Sequence, residues 1–154
     1  MSHLRNIVTA LSALSVSFVD EVTNTITPTS YDVSAVPASM AAANLPVRLW
    51  GTTRGNSGVS LEYVTAGTSA GKVQHNVTEL TLLQLVGLSR VLDEWPDTIR
   101  YMDALLSVLQ TNRSIYAHCE ITGANCTRGV FEYPYSSNEQ FYGCQTIVNI
   151  TEYQ

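Results

Sequence analysis

Three histidines, three cysteines and the acids Asp93, Glu94 and Asp97 are the residues here whose side chains suit metal binding, nucleophilic attack or proton transfer. His3, His75 and His118 lie far apart in the chain, with no i,i+4 pair to offer two imidazoles from one helix face. Cys119 and Cys126 are separated by six residues, where structural zinc sites space their thiolates by about two to four. The stretch "GTTRGNSG" is rich in glycine, yet no Lys-Ser/Thr follows it and no long parallel strand precedes it. It therefore reads as a flexible loop rather than a phosphate cradle. The three acids stand beside Pro96, where a helix start favours anions at its positive end, and this accounts for them without a catalytic dyad. No catalytic, cofactor-binding or metal-binding residue is expected, and the chain does not read as an enzyme.

Phe131, Tyr133, Tyr135, Phe141 and Tyr142 gather near the C-terminus, where aromatic rings could stack bases or sugars. Cross-strand pairing within a hairpin explains them better and asks for no ligand. The same region holds Cys126 and Cys144, and Asn-x-Ser/Thr triplets begin at Asn76, Asn112, Asn125 and Asn149. Those features together suggest a small secreted binding glycoprotein with a Cys126–Cys144 bridge. The N-terminal "MSHLRNIVTALSALSVSFVDEV" does not support export. Its apolar run is broken by Asn6, Thr9, Ser12 and Ser15, and acids follow at Asp20 and Glu21. Free thiols at Cys119, Cys126 and Cys144 and unread triplets are the expectation.

Hydrophobic residues make up 45% of the sequence and charged residues 14%, well below the roughly 25% charged of ordinary soluble domains. A surface so poor in charge suits burial by neighbours. Lys72 is the single lysine, and the formal net charge is -5. Such a balance excludes a nucleic-acid groove held by phosphate contacts, though it suits a surface that DNA slides past. No stretch approaches the roughly 20 apolar residues of a membrane-spanning helix.

Any functional surface must be held by the elements the pattern predicts. Leu4, Ile7, Val8, Leu11 and Leu14 follow helical spacing over residues 3–15, with Ser2 placed to cap. Alternation over residues 15–22 suggests a strand carrying Val16, Phe18 and Val22, followed by a long, Thr-rich connection over 20–44. "LPVRLWG" reads as a short strand opened by Pro46, residues 51–72 as a glycine-bearing loop or loose hairpin, and "KVQHNVTELTLLQLV" as the longest strand. Its alternation breaks at Leu82 and Leu83, which suggests a bulge. A helix over residues 96–110 is expected to bury Ile99, Met102, Leu105, Leu106 and Leu109. "SIYAHCEI", "GVFEYPY" and "QFYGCQTIVNITEY" complete three strands, the last two joined by a turn at Pro134–Asn138. The prediction is one α+β domain over residues 1–154, a mainly antiparallel sheet with two helices on one face.

This order of elements, from the amphipathic N-terminal helix through "NLPVRLW", "VQHNVTELTLLQLV", "GLSRVLDEW" and "PDTIRYMDALLSVLQ" to the closing "YGCQTIVNITEYQ", resembles tail terminator proteins of tailed bacteriophages. The likeness spans residues 4–153, with the Thr-rich segment 20–44 and three cysteines as departures from it. It implies a structural virion protein, assembled in the host cytoplasm, forming a ring, usually a hexamer, at the head-proximal end of the tail tube. Such a ring ends tube polymerisation and joins tail to head. Its partners would be the tail tube protein and neck or head-completion proteins, with viral DNA passing through the lumen. Another neck or head-completion protein would show the same features. Within the loops 20–44 and 51–72, Arg54 and Lys72 are the charges expected to contact neighbouring subunits or acidic partners.

Overall fold

The computed structural model describes residues 4–31, 44–50, 64–66, 72–86, 96–133 and 136–153. Helix α1 (Leu4–Ser12) turns Ile7, Val8 and Leu11 inward, each with almost no exposure. Burying each such side chain contributes about 1.5–3 kcal/mol, which is what seats so short a helix. Ser2 lies outside the described residues. Beyond α1, Val16 and Phe18 are buried as expected, but Val22 is 71% exposed at the tip of a small hairpin. That hairpin pairs β1 (Phe18–Val19) with β2 (Thr25–Ile26). Its turn is held by Asp20, whose Oδ1 accepts from the amides of Val22 and Asn24 at 3.0 and 2.8 Å. Thr23 takes a left-handed φ of 67° there, as a tight turn requires.

The expected irregular connection over 20–44 thus contains β2 and also β3 (Thr29–Tyr31), which runs parallel to β4 (Val47–Trp50). The remaining strands are β5 (Val64–Ala66), β6 (Lys72–Leu85), β7 (Ser114–Tyr116), β8 (Cys119–Tyr133) and β9 (Ser136–Tyr153), and α2 spans Pro96–Thr111. The main sheet has the order β3-β4-β6-β9-β8-β7, with β5 pairing the start of β6. All its pairings except β3 with β4 are antiparallel. The fold is therefore α+β, with a curled, mostly antiparallel sheet and two helices.

The bulge lies where the broken alternation placed it, between Leu82 and Gln84 opposite β9. Gly143 sits beside it, and a Cβ at that position would collide with the Thr81 carbonyl oxygen. Only glycine lets β9 approach β6 so closely. The C-terminal strands differ from expectation. "SIYAHCEI" is not one strand, because Ala117 and His118 form a turn, with His118 at a φ of 61°. β8 then continues without a break through "ITGANCTRG" into "VFEY". The polar run there alternates between two sheet faces, so it looks loop-like in composition while pairing β9 throughout.

α2 is also rotated from its expected seating. Tyr101, Leu105 and Leu109 are its buried hydrophobic residues, whereas Ile99 is 46% and Leu106 39% exposed. Tyr101 anchors the rotation, since its ring meets Phe18 edge-on at 6.2 Å and its hydroxyl finds a buried partner. Both helices contribute to one core with Trp50, Val77, Val148 and Ile150 on the sheet. A second core of Val47, Leu49, Leu80, Leu82, Tyr133 and Phe141 is formed by side chains of the alternate positions.

Candidate functional site

The densest chemistry in the fold is a polar network beneath the helices that the motif search did not find. Arg48 on β4 and Glu79 on β6 are 1% and 0% exposed. Arg48 donates from Nε and Nη2 to Glu79 Oε2 at 3.3 and 3.0 Å. Its Nη1 donates to the Leu14 carbonyl just beyond α1, and its guanidinium carbon lies 5.5 Å from the Trp50 ring centroid. The other carboxylate oxygen of Glu79 accepts from the hydroxyls of Thr81 and Tyr101. Four elements, α1's end, β4, β6 and α2, are thereby tied to one carboxylate.

The electrostatics fit a closed network rather than a reactive one. Burial pushes the Tyr101 hydroxyl well above the ordinary phenol range, and Glu79 beside it adds to the effect. Tyr101 thus stays protonated and donating. Burial opposes the charge on Arg48, but Glu79 and Tyr101 outweigh it and raise the guanidinium's pKa. Every donor named is engaged with its acceptor, and solvent does not reach them. Sealed from solvent in this way, the network fixes the end of α1, β4, β6 and α2 relative to one another.

A second buried pair lies along the same sheet face. His75 Nε2 is 2.8 Å from Glu152 Oε2, with the two side chains 0% and 3% exposed. Cys119 pairs with Glu152 across β8 and β9. Burial, with Glu152 as a smaller cause, raises the Cys119 thiol to about 11, which leaves it a poor nucleophile. Cys119, Cys126 and Cys144 are free thiols. Cys144 is raised well above its ordinary value by burial, then by Glu79 and Cys126. Cys126 Sγ sits 3.2 Å from Thr146 Oγ1. Among the described residues, no group of three or more His, Cys, Asp or Glu side chains is placed to hold a metal ion. No described helix is long and apolar enough to cross a membrane.

Among the described residues, those singled out from sequence do not converge. Arg54 lies outside the described residues, as do Asp93, Glu94 and His3. Lys72 opens β6, with its backbone paired to Ala66 and Tyr153. Asp97 is nearly buried in the first turn of α2 and accepts from Arg100 at 2.7 Å, as a helix-start acid should. His118 occupies the β7–β8 turn, and Tyr133, Phe141 and Tyr142 are buried in the hairpin rather than displayed. Of the triplet asparagines, Asn76 and Asn149 are directly opposed on adjacent strands. Asn112 uses its Nδ2 to donate to the Val108 carbonyl at the end of α2.

On the sheet face away from the helices, the register aligns Thr78, Ile147 and Asn125 in one row and Asn76 with Asn149 in the next. Asn125 and Thr127 are exposed and Ile147 is 39% exposed. This block carries no charge. A groove of about 320 Å³ runs between α2 and the start of β8, lined by Leu106, Leu109, Gln110, Arg113 and residues 121–124. Comparison with protein-family models, with curated proteins and with solved structures finds no match.

Proposed function

We propose that this chain is a non-enzymatic structural protein. It forms a closed ring, of six copies, at the head-proximal end of a phage tail tube, ends the tube's growth and receives the neck. The observation that carries the reading is the uncharged, at least partly exposed block Asn76, Asn125, Thr127, Ile147 and Asn149 on one face of the sheet. Such a face is cheap to desolvate against a neighbouring subunit, because no ion has to leave water. The sealed state of the Arg48–Glu79–Tyr101 network supports the same reading, since the strongest chemistry in the fold serves to fix elements. A ring satisfies repeated head-to-tail contacts without leaving a free end.

The secreted glycoprotein reading finds less support. Its Cys126–Cys144 bridge is not formed, and glycans on both Asn76 and Asn149 would compete for one space. The ring reading is tested by mixing purified protein with tail tubes of the phage that carries the gene and imaging them by electron microscopy. Rings seated at one tube end, with elongation stopped, are expected. Tubes that keep growing with bare ends would remove the terminator role.

A further inference from the structure

The β1–β2 hairpin divides its four apolar residues between two tasks. Phe18 and Ile26, paired across the strands, pack on the core, where Phe18 meets Tyr101 of α2. Val19 and Val22 are left outside, 52% and 71% exposed. Turn positions ordinarily go to Gly, Pro, Asn, Asp or Ser, so turn chemistry accounts for Asp20 and Asn24 but not for a valine at the tip. That tip is fixed in advance. Asp20 accepts from the amides of Val22 and Asn24, and its carbonyl accepts from the Thr23 amide at 3.2 Å. A projection already ordered loses little conformational freedom when it docks.

The groove between α2 and β8 has the complementary character. Leu109 and Ile121 form its floor, and Leu106 stands 39% exposed at its side. The register of β8 shifts between Ile121 and Gly123, and the small residues Gly123 and Ala124 leave the space unfilled. Arg113 is the one ionic side chain among the described residues that line it, and it is 70% exposed with Glu120 at 3.7 Å. The hairpin holds two acids and no cation; its Glu21 is 66% exposed and 3.9 Å from Arg100. Such long, solvated ion pairs contribute little, so neither withholds its residue from a partner. Glu21 beside Arg100 sets the tip over the first half of α2, whereas the groove begins at Leu106 and no hairpin residue lines it. One copy thus carries a knob and, apart from it, a hole.

We propose that the hairpin tip of one copy, led by Val22, seats in the α2–β8 groove of the next copy, with Glu21 beside Arg113. Burial of Val22 against Leu106 and Leu109 supplies the attraction, and the opposite charges at the rim orient it. Knob and groove are different surfaces, so the contact is heterologous and repeats head to tail. It deepens the ring reading by naming a contact between subunits, and it rests on that reading for closure at a tube end.

The test is sedimentation velocity on the purified full chain over a range of concentrations, with circular dichroism confirming that each variant is folded. Wild type is expected to associate beyond a dimer as concentration rises. Val22→Asp charges the knob and Leu106→Glu the groove, and each should weaken association at least about tenfold, because an acid must then be buried against apolar groups. Neither position is buried in the free chain, so the fold tolerates both changes. An equimolar mixture of the two variants should give dimers and nothing larger. The intact tip of the Leu106→Glu chain enters the intact groove of the Val22→Asp chain, and no further contact can follow. Glu21→Arg or Arg113→Glu alone should weaken association about threefold, as for an exposed ion pair, and the double variant should recover it. A wild type that stays monomeric would overturn the proposal. So would single variants that associate like wild type, a mixture that stays monomeric or grows past the dimer, or a double charge variant no better than the singles. Capping of tail tubes is read separately. Tubes capped normally by Val22→Asp and Leu106→Glu would reject this contact and leave the ring reading intact, whereas the expected association with uncapped tubes would keep the contact and reject the terminator role.

Discussion

On the helix-covered face of the sheet, Arg48, His75, Glu79 and Glu152 are sealed from solvent, while the same strands display Asn76, Asn125, Thr127 and Asn149 on the other face. The contrast inverts the usual arrangement of charge outside and neutral groups within. A buried ion demands fixed partners, so the covered face specifies one packing of α1, α2, β4 and β6. The open face places no such demand, and whatever covers it need only match its shape. Removing one partner from a buried pair exposes how much the packing depends on it, because the remaining ion is left uncompensated.

Glu79→Ala is expected to cut deepest, by about 3–5 kcal/mol, since it strands Arg48 among apolar neighbours. Urea denaturation measures this, and a loss below about 1 kcal/mol would mean that water reaches the site. Leu105→Ala follows at about 2–5 kcal/mol, while Leu106→Ala, on the exposed side of α2, should stay within about 0.5 kcal/mol. Equal effects at the two positions would return the helix to the seating its sequence pattern suggests. Tyr101→Phe keeps the ring against Phe18 but deletes a donor to Glu79, for an expected cost of about 1–3 kcal/mol.

A gentler probe is pH. The Cys119 thiol titrates at about 11 in the fold against an ordinary value of 9.0. Between those values the unfolded chain gives up a proton that the native protein keeps, so stability is full below pH 9 and falls as pH rises toward 11. Urea midpoints at pH 8 and pH 10 should show the drop, and Cys119→Ser should shrink it. Smallest of all, Asn125→Ser or Thr127→Ser on the open face should change stability by no more than about 0.5 kcal/mol. If the ring reading holds, the effect of such substitutions would appear in assembly instead.

Much of the architecture was legible in the sequence because periodicity reports which side of an element is apolar. The amphipathic spacing of Ile7, Val8 and Leu11, Pro96 at the start of α2, and the broken alternation at Leu82 and Leu83 each marked a real feature. The network escaped because period-two reasoning assigns polar residues to water. His75, Glu79 and Thr81 share a face of β6 with Val77, so that face reads as solvent-facing when it lies under the helices. The available signal was Arg48 in "VRLW": all four residues of that strand are buried. An ion with apolar neighbours on both sides must find its opposite, and Glu79 stands within another such strand. α2 was misjudged for a related reason. Tyr101 falls outside the apolar set Ile99, Met102, Leu105, Leu106 and Leu109, although a tyrosine buries its ring once its hydroxyl has a partner.

Gly143 carries one more consequence. It lies in the middle of the longest strand, where composition offers no hint of special importance, yet its missing side chain sets how near β9 comes to the Thr81 backbone. Thr81 is also the residue whose hydroxyl bonds Glu79, so a substitution at position 143 is felt on the opposite side of the sheet. In a library randomised codon by codon and selected for folded protein, neighbouring positions such as Gln145 and Ile147 should return many letters. Position 143 should return one, and that single invariant letter carries more information about this fold than the cysteines that first draw the eye.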